Sequence, residues 1–126
     1  MVNGYTLDII KNRLASKEMF IARHYIKKEK WIAAINRLKN ILKNYETTVY
    51  VEEALHRLVE VYYIIGLEEA SHKYAQTLGY NYQSSEWYKK SYKVCKKSYK
   101  IQVEKAIKKD KKDKKGVVKR FKKLFD

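Results

Sequence analysis

The side chains best suited to chemistry are few, and their spacing does not assemble them. His24, His56 and His72 are the three histidines. No two of them stand four residues apart and none sits in an H-E-x-x-H pattern, so the spacing supplies neither a zinc pair nor a partnered histidine base. Surface positions are expected for all three. Glu52-Glu53 and Glu68-Glu69 are neighbours in sequence, and adjacent residues on a helix point to different sides, unlike the facing carboxylates of acid–base catalysis. Cys95 is the single cysteine, which excludes an internal disulfide and any cysteine-built zinc site and suits a small core residue. No glycine-rich phosphate loop is present. The chain is therefore expected to be no enzyme, with no cofactor, no metal and no small-molecule substrate.

Charge is the other chemically active feature, and its position matters more than its total. The 126 residues carry a formal net charge of +15. Residues 1–88 hold 12 Lys/Arg against 10 Asp/Glu, and residues 89–126 hold 17 against 4. An RNA- or DNA-binding helical protein is the alternative that basicity and twelve tyrosines suggest. It would need cations spread over the body of the fold, and the body is nearly neutral, so no specific nucleic acid is expected. At the end of the chain, Val117, Val118, Phe121, Leu124 and Phe125 fall on one face of a short helix, with Lys119, Arg120, Lys122 and Lys123 around it. A basic amphipathic helix of this kind fits either the groove of a partner or a weak contact with an anionic membrane. The alternating Lys/Asp run 108–115 before it is expected to be a solvated, mobile tether.

The elements that carry these residues are expected to be helices throughout. There is no proline and only four glycines, too little punctuation for the short strands of a sandwich or barrel. No stretch of eighteen apolar residues marks a membrane span, and the first residues lack the pattern of an export signal. A repeat organises the rest. Asn44-Tyr45-Glu46-Thr47-Thr48 returns as Asn81-Tyr82-Gln83-Ser84-Ser85, an offset of 37 that also links Tyr25, Tyr62 and Tyr99. Each unit is expected to be a helix hairpin in which Ala22 and Ala34, or Ala70, permit close approach while Tyr25, Leu38 and Tyr74 fill the space beside them. Thr47-Thr48 and Ser84-Ser85 are expected to cap the helices that follow. The predicted architecture is all-α: a TPR-like helix-hairpin solenoid over 1–107, with repeats at about 14–47 and 48–84, a capping helix at about 86–107, and a basic tail over 108–126 that holds the short amphipathic helix.

The unit resembles the tetratricopeptide repeat, with Ala22, Tyr25, Ala34 and Leu38 in one copy and Val59, Tyr62, Gly66, Ala70 and Tyr74 in the next. Glu29 stands where that pattern has the turn glycine, and Glu46 and Gln83 where it has proline, so both corners are expected to be looser. A closer resemblance lies in four segments in order: LASKEMFIARHY at 14–25, WIAAINR at 31–37, EALHRLVE at 53–60 and LGYNYQSSEWY at 78–88. Together they are similar to the last two repeats of the BamD family of outer-membrane assembly lipoproteins, in its alphaproteobacterial form. That resemblance implies a non-catalytic scaffold at the periplasmic face of the outer membrane, docking on the POTRA region of BamA and on other assembly lipoproteins. It implies an interface arginine at Arg37, with Arg57 and Trp31 as secondary contacts. A five-repeat protein anchored through a lipidated N-terminal cysteine is the family norm. This chain has no such cysteine ahead of its repeats, so a fragment, a gene truncated at its start or a second part of a split protein is expected. A generic TPR adaptor is the alternative within the same fold.

Overall fold

The computed structural model describes the backbone of residues 4–125, and the side chains of that span apart from 98–103, 106, 110, 114 and 116–125. Five helices follow one another: α1 (Gly4–Lys27), α2 (Trp31–Asn44), α3 (Val51–Ile64), α4 (Glu68–Asn81) and α5 (Glu86–Phe125). α1 packs on α2 and α3 on α4, while α2 packs on α3 and joins the two hairpins. This is the TPR-like all-α arrangement that the repeat predicted. The chain divides into two units, Met1–Cys95 and Lys96–Asp126.

Both hairpin corners are built from the same bonds. Lys30 N–H reaches Tyr25 C=O at 2.9 Å and Glu29 N–H reaches Ile26 C=O at 3.0 Å. In the second hairpin Leu67 N–H bonds to Tyr62 C=O and Gly66 N–H to Tyr63 C=O, at 2.9 and 3.1 Å. This paired closure needs a left-handed residue after the helix end. Gly66 supplies it at φ 85°, and Glu29 is held there at φ 58°. The first corner is thus as tightly bonded as the second, contrary to the looser corner expected. The substitution appears as backbone strain of about 1 kcal/mol at Glu29.

The helix ends that lack proline also match at the 37-residue offset. Tyr45 N–H caps α2 on Ile41 C=O, and Tyr82 N–H caps α4 on Leu78 C=O. Thr48 N–H then returns to Tyr45 C=O, and Ser85 N–H to Tyr82 C=O. The side chains differ. Ser85 Oγ accepts from Trp87 N–H at 3.1 Å and caps α5 as expected. Thr48 instead donates its hydroxyl to Tyr45 C=O at 2.7 Å, and α3 begins at Val51 without a side-chain cap. A threonine hydroxyl that satisfies a carbonyl behind it is spent on the turn, and the cap expected of it is absent.

The core runs through Met19 and Ala22 of α1, Leu38 and Ile41 of α2, Leu58 and Val59 of α3 and Leu78 of α4. Most of α3 is buried, because helices lie on either side of it. Ala22, Ala34 and Leu38 are fully buried, as the alternation of small and large residues requires, while Tyr25 is half-buried. Tyr74 lies flat on Tyr62, with ring centroids 5.6 Å apart and planes within 9°. Ser71 fastens α4 to α3 by donating to the Val59 carbonyl at 2.8 Å. Gly79 makes room for α5, since a methyl group there would meet Tyr88 Cε2 at 2.5 Å.

One element differs in kind from expectation. The run 108–115 is helix, so α5 continues for 40 residues where a capping helix, a mobile tether and a separate short helix were expected. Lysine is a good helix former, no proline interrupts, and Glu104 to Lys108 and Asp110 to Lys114 keep the favourable acid-before-base spacing. A charge run with that composition is compatible with helix as well as with coil.

Candidate docking surface

Arg37 is presented by α2 one residue before the fully buried Leu38. Its Nη1 lies 3.0 Å from Glu18 Oε1 of α1, with the arginine side chain 42% exposed and the glutamate 15%. The pair spans the first hairpin and holds the guanidinium by one nitrogen at the edge of solvent. Glu18 Oε2 is buried without a hydrogen-bond partner, which marks the spot as a place where carboxylate and cation are not fully satisfied within the chain. Trp31, the first residue of α2, packs partly against the core.

Arg57 belongs to a separate cluster. Its Nε lies 3.5 Å from Glu53 Oε2, an ion pair without hydrogen-bond geometry, and its guanidinium stands 5.8 Å from the Trp87 ring centre. Glu53, almost fully buried, is gripped in fork geometry by Arg23 of α1, at 2.8 and 2.5 Å. That grip raises the Arg23 pKa, chiefly through the hydrogen bond to Glu53. Glu53 therefore ties α1 to α3.

On the same helix His56 is buried, contrary to the surface position expected of it, because α5 covers it. Its Nδ1 is 2.8 Å from Ser91 Oγ, its Nε2 is 2.6 Å from Glu60 Oε1, and its ring lies 5.4 Å from that of Trp87. Nε2 thus faces the carboxylate while Nδ1 pairs with the serine hydroxyl. Glu60 is held below the usual carboxylate range, first by the hydrogen bond from His56 and then by the charges of His56, Arg57 and Lys90 working against desolvation. Lys90 stands over Trp87 at 4.5 Å, and Ser85 Oγ donates to Glu52 Oε2 at 3.0 Å. His24 is exposed and His72 half-buried.

The polar stripe Glu52, Glu53, His56, Arg57 and Glu60 thus binds α3 to α1 on one side and to the start of α5 on the other. Sequence reasoning named only Arg57 from it as a contact residue, and set Glu52, Glu53 and His56 aside as unsuited to catalysis. The Glu53/Arg57 and His56/Glu60 spacings of four were visible signals, whereas Arg23 and Ser91 are brought in by packing alone. Burial raises the Cys95 pKa and so favours the protonated thiol. Among the described residues no group of three or more His, Cys, Asp or Glu is placed to hold a metal ion. The contact positions Val117, Lys119, Arg120, Phe121, Lys122, Lys123, Leu124 and Phe125 have side chains outside the described residues.

Two hairpins stacked through the packing of α2 on α3, with charged side chains at half-buried positions, define a TPR-like helical-repeat protein. The chain belongs to the YfiO family, described as outer membrane lipoprotein, whose model matches residues 4–78. Among its relatives is the outer membrane protein assembly factor BamD of Rickettsia prowazekii, 47% identical over 90 residues, which cover 71% of this chain and 36% of that protein. The BamD of Caulobacter vibrioides is 41% identical over 88 residues, 70% of this chain and 29% of its own length. The Vibrio cholerae protein of the same name is 36% identical over 72 residues, 57% of this chain and 30% of its own length. The chain spans about a third of the length of these relatives.

Proposed function

We propose that this chain is a non-catalytic docking module of the outer-membrane β-barrel assembly machinery, holding the POTRA region of BamA at the periplasmic face of the outer membrane. Kinship to proteins named as outer membrane assembly factors supports the setting. The observation that carries the docking reading is the Arg37–Glu18 pair. One guanidinium nitrogen is engaged at 3.0 Å and the side chain is nearly half exposed, so the fork is pre-oriented while part of it still faces solvent. A carboxylate on a partner would meet a planar donor set already fixed in place, a geometry that lysine does not reproduce. Trp31 and Arg57 act in the same reading as secondary contacts, limited by the share of each already used within the chain.

Capture of purified BamA POTRA domains by the whole chain tests this. Arg37→Ala is expected to weaken capture by about tenfold, and Arg37→Glu to abolish it. A thermal melt of each variant separates loss of docking from loss of the Glu18 tie. Undiminished capture by a folded Arg37→Glu protein would remove Arg37 from the interface.

A further inference from the structure

The second unit carries an inference independent of POTRA docking. From Lys105 to Lys115, the lysines at 105, 108, 109, 111, 112 and 115 are exposed on a continuous helix. Ile107 is among them, half exposed. Helical spacing sets Val103, Ala106, Val117, Phe121 and Leu124 on one line of α5 at steps of three and four, with Asp110, Asp113 and Lys114 interrupting it. Ile107 adjoins that line, and those six lysines fall away from it. The helix from residue 99 to 125 is about 40 Å long.

We propose that Lys96–Phe125 is a surface-lying membrane helix, which rests along a bilayer bearing anionic phospholipid headgroups, apolar line inward and lysines among the phosphates. The charge argues for this occupant. A second copy of the same helix is disfavoured, because residues 89–126 hold 17 Lys/Arg against 4 Asp/Glu and would repel their like. Nucleic acid would use the lysines but has no place for the apolar line. A lipid leaflet uses both features, since a basic amphipathic helix gains from apolar burial and from headgroup attraction together. Asp110 and Asp113, placed on the inward line, work against the contact and keep it reversible.

Flotation of the full chain with lipid vesicles tests the proposal. Partition into phosphatidylcholine vesicles containing phosphatidylglycerol is expected to exceed partition into phosphatidylcholine alone by about tenfold and to fall with added salt. Phe121→Ser/Leu124→Ser leaves the net charge unchanged and is expected to lower partition by about tenfold. Asp110→Asn/Asp113→Asn keeps every apolar group and is expected to raise it several-fold. Equal partition into both lipids overturns the proposal. So does a serine variant that binds as well as the parent, or an asparagine variant that binds no better. Tighter binding to single-stranded DNA than to anionic vesicles, unchanged by the serine substitutions, would replace the membrane with nucleic acid.

Discussion

At the scale of single residues, the two corners form a natural experiment. Identical hydrogen bonds close both hairpins, one around Gly66 at φ 85° and one around Glu29 at φ 58°. Relieving the side-chain clash at the first corner should outweigh the extra freedom glycine gives the unfolded chain. Glu29→Gly is therefore expected to stabilise the protein by about 0.5–1 kcal/mol in urea unfolding, and Gly66→Ala to destabilise it by about 1 kcal/mol. Glu60 provides a second test. Its pKa is depressed in the folded state, so the folded protein resists protonating it. That stabilisation is complete above the pKa of an unfolded glutamate, about 4.3, and is lost as pH falls through the lower folded value. Glu60→Gln should flatten this acid limb of the stability curve, measured as unfolding midpoint against pH.

At the scale of elements, the start of α5 is fixed by few polar groups rather than by apolar area alone. Ser91 is fully buried and meets His56 Nδ1, Ser85 caps the helix, and Tyr88 fits against Gly79. Removing the serine hydroxyl leaves a buried ring nitrogen without a partner, which costs about 1–3 kcal/mol. Ser91→Ala is accordingly expected to speed amide exchange in residues 86–95 more than in α1 or α2. Equal protection in parent and variant would show that apolar packing alone holds this turn of helix. The helix hairpins themselves were legible from the repeat, because the period of 37 and the alternation of small and large residues follow from how helices pack. The continuity of α5 was not, since a lysine-rich run satisfies helix and coil alike on composition.

At the scale of the whole molecule, charge and fold are separated along the chain. The repeats are close to neutral, and the basic residues follow them. Any affinity for nucleic acid is therefore expected to be nonspecific, falling steeply with salt and insensitive to base sequence. Changing Lys108, Lys109, Lys111 and Lys112 to glutamine should reduce it and flatten the salt slope, read by fluorescence anisotropy of labelled single-stranded DNA. Sequence-selective binding that survived those changes would return the nucleic-acid reading to contention. The docking and membrane tests address different parts of the chain, so each is decided without the other.

What the sequence determined by itself was the repeat, the all-helical class and the kinship to outer-membrane assembly lipoproteins. Those depend on period, side-chain size and local string, which survive in one dimension. Tertiary structure alone decided which charges are satisfied internally. His56 was expected at the surface and is buried because α5 covers it. Thr47-Thr48 and Ser84-Ser85 looked alike as caps, yet Ser85 caps its helix and Thr48 bonds backward into its turn. Arg37 and Arg23 are both arginines on amphipathic helices, and only packing brings Glu18 to the first and Glu53 to the second. Local spacing sets which face a side chain occupies, whereas the partner that meets it comes from a residue 19 or 30 positions away.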